Sequence, residues 1–254
     1  MIRLSVNVNK VATLRNARGG AEPSVERAVV TCLEAGAPGI TVHPRADERH
    51  VRRADVFAIA GLLADRRRTG LQDVEFNIEG DPRPDLVDMV IEVAPDQCTL
   101  VPVQPGEITS QAGWPVTTPP ELGRVIARLK QARVRVSVFV DPEDDAVRWA
   151  AGIGADRVEL YTEPFARAFA SGLAQGRESF AAYAAAAGRA HALGLGVNAG
   201  HDLNLDNLRL FRQLPHLDEV SIGHALVADA LWMGLASAVG AYRAAIEGSG
   251  AALS

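Results

Sequence analysis

Lysine is nearly missing from this sequence: of its 26 basic residues only Lys10 and Lys130 are lysines, and the rest are arginines. Chemistry that uses a lysine amine as nucleophile therefore has two candidates. Cysteine is as scarce. Cys32 and Cys98 form no metal or redox spacing, which makes ordinary apolar core their expected place. No run approaches the roughly 18 apolar residues of a membrane span. The opening "MIRLSVNVNK" lacks a secretory apolar region, so the expected compartment is the cytoplasm, with no membrane partner. A formal charge of −5 argues against nucleic acid as a partner, and any anionic ligand must be attracted locally.

What the chain does have is a repeat of strand and helix. Eight short alternating runs stand out: "RLSVNVN" from Arg3, "GITVH" from Gly39, "DVEFNIE" from Asp73, "QCTLVP" from Gln97, "RVSVFVD" from Arg135, "RVELYT" from Arg157, "GVNAG" from Gly196 and "EVSIG" from Glu219. Helical spacing fills most of the intervals, as in "VERAVVTCLEAG" and "ELGRVIARLKQA". The segment "DPEDDAVRWAAGIGA" opens on acids and ends at glycine, as a helix should. Eight strand–helix units in 254 residues predict one α/β domain, a TIM (β/α)₈ barrel of parallel strands spanning residues 1–254. A doubly wound open sheet would need fewer strands, or a second domain behind a visible linker.

The alternation predicts more than the fold. Leu4, Val6 and Val8 share one face of the first strand, with Ser5, Asn7 and Asn9 on the other. Val74, Phe76 and Ile78 likewise oppose Glu75, Asn77 and Glu79. The apolar faces must meet the helices, so the polar faces must line the barrel. Unpaired, each buried polar group would cost about 1–3 kcal/mol, which predicts a hydrogen-bonded interior.

Active sites of such barrels lie at the C-terminal strand ends. There the sequence places His43, Glu79, Glu159, His201 and His224, with "PRADERH" as a loop over the mouth. Each alone has an ordinary explanation: a solvated loop histidine for His50, a structural ion pair for Glu79, a surface charge for Arg45. Arg15 and Arg18 fit a solvated loop, and His191, His216 and Lys130 are expected to be structural. Convergence of several titratable groups from different strands favours a site. Zinc is a competing reading, but no HxH or HExxH spacing appears, and no metal is expected. Phosphate fits better. Gly223 precedes a helix directly, and "NAGHDLN" follows strand seven, the usual anion-binding end of such barrels. Arg18, Arg45 and His50 are candidates for a second anionic group. Acid–base chemistry on phosphorylated small molecules follows.

The blocks "VNVNKVATLRNARGG", "GITVHPRADERH", "FNIE", "GADRVELYT", "GLGVNAGHDLN" and "EVSIGHAL", in this order, resemble the pyridoxine 5′-phosphate synthase family across nearly the whole chain. The resemblance implies condensation of 1-deoxy-D-xylulose 5-phosphate with 3-amino-2-oxopropyl phosphate, releasing inorganic phosphate and water, without metal or redox cofactor. It implies His43 and Glu79 as proton acceptors, His201 as donor and Glu159 as transition-state stabiliser. Arg45, His50 and Thr109 match contacts to the sugar phosphate, and Asn7, Arg18, Gly223 and His224 contacts to the amino-ketone phosphate. Homo-oligomers, octamers among them, also follow from the resemblance. The chain departs from the family where many members have Asp-His and it has Asn9 and Lys10. Asp202 replaces a common glycine, and Tyr161 and Glu163 also differ. Lys10 remains a candidate substrate contact, and it raises a rival reading, a Schiff-base aldolase acting on a phosphorylated sugar. A phosphate binder without turnover is a third reading, disfavoured because every acid and base is kept.

Overall fold

The computed structural model describes residues 1–70, 73–103, 111–118 and 121–248. In chain order the elements are β1 (Arg3–Asn7), α1 (Asn9–Asn16), α2 (Val25–Glu34), β2 (Gly39–Val42), α3 (Arg53–Arg68), β3 (Glu75–Gly80), α4 (Pro84–Val93) and β4 (Gln97–Leu100). They continue with α5 (Glu121–Gln131), β5 (Arg135–Val140), α6 (Asp144–Gly152), β6 (Arg157–Tyr161), α7 (Glu163–Ser171) and α8 (Leu173–Ala192). The last are β7 (Gly196–Gly200), α9 (Leu208–Phe211), β8 (Leu217–Ile222), α10 (His224–Met233) and α11 (Leu235–Glu247). All eight strands pair in parallel, in sequence order, and β1 closes on β8. This is the expected (β/α)₈ barrel.

The strand alternation sorts side chains as the pattern requires. Outward residues such as Leu4, Val6, Ile40, Ile78, Val138, Val158 and Val220 are buried in one continuous core beneath the helices, with Cys32 and Cys98 among them. Inward residues are polar and bonded to one another. Ser5 and Thr41 share a hydroxyl hydrogen bond of 2.6 Å; Asn77 donates to Thr41, and Thr99 to Asn77, at 3.3 and 3.1 Å. Farther round, Asn198 donates to Gln97 at 3.3 Å, and Arg157 to Asn198 at 2.7 Å. At the N-terminal end of the barrel, Glu75 holds Arg3 at 2.6 Å and also binds Arg135. Among the described residues, an apolar trio, Val101, Phe139 and Tyr161, interrupts this lining near the C-terminal ends of the strands.

Two expectations need correction. The first strand was expected to run to Asn9 but stops at Asn7, because Asn9 and Lys10 already begin α1. The side chain of Asn7 accepts from Asn9 N at 3.0 Å and so closes that turn. Arg15 is not a solvated loop residue. It lies in α1, only 6% exposed, and makes a bidentate pair with Asp55 at 2.5 and 2.9 Å.

Helices α7 to α9 form an aromatic cushion behind β6 and β7. Phe211 is fully buried, with ring centroids 4.9 Å from Phe165 and 5.5 Å from Tyr183. The Tyr183 hydroxyl donates to the Tyr161 carbonyl at 2.7 Å, which ties this cluster to the end of β6. Among the described residues, no helix is long and apolar enough to cross a membrane. Phe211→Ala should lower the unfolding free energy by about 3–5 kcal/mol, through lost burial and a residual cavity; denaturant titration measures it.

Candidate active site

The C-terminal ends of the strands surround a cavity of about 320 Å³. Eleven expected residues line it: Asn7, Lys10, His43, Arg45, His50, Glu79, Glu159, His201, Asp202, Gly223 and His224. Asn9, Val101 and Ser221 complete the lining. Arg18 is exposed beyond the end of α1 and does not line the cavity. Thr109 lies outside the described residues.

The short turn between β1 and α1 builds one wall. Asn9 sits at the start of the helix, and its Oδ1 accepts from His43 N at 2.9 Å. The first strand's exit thereby orients the residue that follows β2. A carboxylate could accept the same bond; here a neutral amide does so. His43 itself is 8% exposed, with Nδ1 3.9 Å from Glu79 Oε2 and its Nε2 making no hydrogen bond among the described residues. Burial holds its imidazole well below the usual histidine range, and His50, Arg45 and Arg83 push it in the same direction. His43 is therefore a neutral imidazole with an unused ring nitrogen.

Glu79, at the end of β3, receives weak hydrogen bonds of 3.4 Å from Asn7 Nδ2 and from Ser221 Oγ. Burial pushes its carboxyl up to about 8; the Ser221 bond opposes that shift and Glu219 adds to it. Glu159 on β6 is 3% exposed and is also raised well above the normal carboxyl range, by burial first and by the Glu79 charge second. Its place depends on Gly200 of the next strand: a Cβ there would stand 2.5 Å from Glu159 Oε1. Two buried carboxyls in one cavity favour at least one bound proton between them.

His201 follows β7 directly. Its ring packs against Phe139 and Tyr161, with centroids 5.1 and 5.6 Å away, which explains the apolar interruption of the barrel lining. Its φ is +79°, and that of Asp202 is +56°, a left-handed pair that non-glycine residues rarely adopt. Burial lowers the His201 imidazole, with Asp202 opposing and Lys10 reinforcing the shift. His50 faces His43 edge to face at 5.9 Å and is lowered to about 4 by burial and by Arg45. Among the described residues, no three His, Cys, Asp or Glu side chains converge as a metal site.

With this geometry in place, comparison with known proteins is decisive. The family model for the pyridoxal phosphate biosynthesis protein PdxJ matches residues 4–248. The chain belongs to this family. It is 50% identical over 245 residues to the pyridoxine 5′-phosphate synthase of Porphyromonas gingivalis, covering 96% of this chain and 98% of that protein. The enzyme of the same name from Leptospira biflexa is 47% identical over 249 residues, covering 95% and 96%. Among solved structures, tryptophan synthase from M. tuberculosis superposes with a TM-score of 0.63 at 15% identity, covering 96% of this chain and 93% of that one. That likeness reflects the barrel alone.

Arg15 is the residue whose part the sequence concealed. Its guanidinium pairs with Asp55, and it donates to the His50 carbonyl at 3.2 Å, beside Asn16, which donates to the same carbonyl at 2.8 Å. Together they pin the loop that carries Arg45 and His50. Arg15→Met should cost about 3 kcal/mol, because it strands a largely buried Asp55. It should also speed amide hydrogen exchange across residues 48–51, read by mass spectrometry; unchanged exchange there would show that the loop is held by other contacts.

Proposed function

We propose that this protein joins 1-deoxy-D-xylulose 5-phosphate to 3-amino-2-oxopropyl phosphate, giving pyridoxine 5′-phosphate and releasing phosphate and water. Its family and its relatives support the reading. One observation carries the mechanism: the buried His43 imidazole, its Nε2 without a hydrogen bond among the described residues, faces Glu79 in the same cavity as Glu159 and His201. Joining an amine to a ketone, expelling phosphate and closing a ring each require protons to move. A cavity with several acids and bases can move them in sequence.

The roles follow from charge state. His43, neutral and with a bare ring nitrogen, accepts a proton. Glu79 accepts another once ionised, above about pH 8. Glu159, kept protonated by burial, donates a hydrogen bond to oxygen that gains negative charge in the transition state. His201 is neutral at rest but still carries one N–H to share. Arg45, His50 and Thr109 hold the sugar phosphate. Asn7, Gly223 and His224 take the second phosphate: α10 begins at His224 with no side-chain cap, so its first N–H groups are available to an anion. Gripping both substrates by their phosphates turns a two-body encounter into a local reaction. Leu231 and Trp232, 69% and 88% exposed on α10, support the family expectation of a homo-oligomer.

Lys10 lines the cavity and keeps the Schiff-base aldolase reading in play. Borohydride treatment in the presence of deoxyxylulose phosphate should leave Lys10 unmodified; a reduced adduct on it, seen by peptide mass, favours the aldolase. The direct test is incubation of the purified protein with both phosphorylated substrates. Pyridoxine 5′-phosphate should form, and kcat/KM should climb with pH through about 8 as Glu79 ionises. Absence of product overturns the proposal. Glu79→Gln should lower kcat by about 10²–10⁴-fold while phosphate-ligand affinity stays near that of the parent.

A further inference from the structure

One buried carboxyl has no part in the chemistry above. Glu219 on β8 is 1% exposed and lies inside the barrel, two residues before Ser221. That step is about 7 Å along a strand, and Ser221 Oγ donates to Glu79 Oε1. Glu219 therefore sits one layer beneath the base. Its cationic neighbours are committed elsewhere. Arg3 on β1 stands 3.9 Å from Glu219 but 2.6 Å from Glu75 of β3, which also takes Arg135 of β5. Arg157 on β6 donates to Asn198 and faces Asp218 at 3.8 Å. The interior thus holds the carboxyls Glu75, Glu79, Glu159 and Glu219 against three guanidiniums, two of which bind Glu75.

We propose that Glu219 is a positioning residue for proton transfer: set directly below the cavity, one layer beneath Glu79, its carboxyl competes with Glu79 for ionisation, so the pair bears one negative charge more readily than two. The inference rests on the acid–base reading of the site. Burial pushes Glu219 up to about 8; Glu75 adds to the shift, Arg3 and Arg157 oppose it, and Glu159 adds again. Around Glu79 the titratable neighbours are His43 just after β2, Cys98 on β4, Glu159 on β6 and Glu219 on β8. Of these, Glu219 is the carboxyl that adds negative charge from outside the cavity. Loss of its proton raises the cost of ionising Glu79, and loss of the Glu79 proton has the same effect on Glu219.

The test is Glu219→Gln in the full chain, read by the ¹³C titration of the Glu79 carboxyl without substrate. A neutral amide removes the repulsion, so the Glu79 midpoint should fall by about 0.5–1 pH unit. The rising limb of kcat/KM against pH should move down with it, with little change in KM. A folded variant with an unmoved Glu79 midpoint overturns the proposal. The titration needs no turnover, so a failed synthase assay and a failed coupling are told apart. Should the variant not fold, the parent protein decides: the ¹³C titration curves of Glu79 and Glu219 must share a step, and a Glu219 curve independent of that of Glu79 overturns the proposal.

Discussion

The interior of this barrel is polar, and a polar group taken inside costs free energy unless it finds a partner there. That constraint shapes the rest of the molecule. A barrel plugged with aliphatic side chains would be stable without further specification. Here the hydroxyls and amides of Ser5, Thr41, Asn77, Thr99, Gln97 and Asn198 bond round the inside of the sheet, and each bond fixes the rotamer of its neighbour. The carboxyls above inherit that order. Glu79 is met by Asn7 of β1 and Ser221 of β8, and Glu159 by Thr99 of β4, each reached across the barrel interior from a non-adjacent strand. The site rests on a floor whose side chains hold one another, Ser137 Oγ being the exception without a partner among the described residues.

Strain collects where the floor gives way to the mouth. His201 and Asp202 both hold a positive φ immediately after β7. The turn persists because its surroundings dictate it. Thr162 Oγ1 donates to the Gly200 carbonyl at 2.5 Å and to that of His201, while Phe139 and Tyr161 trap the imidazole. Gly200 cannot carry a side chain without displacing Glu159. The residue that frees space for an acid therefore precedes the one that supplies a histidine, and both depend on the same bend.

Much of this was legible in the sequence. Period-two alternation in eight runs predicted the barrel and its polar lining, because a strand's two faces show directly in its residue types. Strand ends predicted His43, Glu79, Glu159 and His201, since that end of a parallel barrel is where loops and side chains gather. What stayed hidden depends on distance in three dimensions. The first strand looks continuous through Asn9, and only the bonds from Asn7 and to His43 show that a helix has begun. Arg15 reads as solvated because its partner, Asp55, lies 40 residues away. Arg18, in the same stretch, remained outside the cavity. Glu219 reads as a single acid low on a strand; its significance appears only when three strands bring four carboxyls together.

On the proposed reading, the same desolvation that tunes the bases also admits the substrates. Two phosphate esters bring several negative charges to a chain that is itself at −5. Ionised carboxylates at Glu79 and Glu159 would repel them at close range, in a medium where such repulsion is poorly screened. Burial keeps protons on those carboxyls, so neither of them opposes Arg45, Lys10 and the start of α10 in the cavity. Neutral imidazoles at His43 and His50 complete a site whose acids and bases are uncharged until substrate arrives. Placing these groups on a polar floor rather than in an apolar plug lets the protein set that charge state from below, through residues no substrate touches.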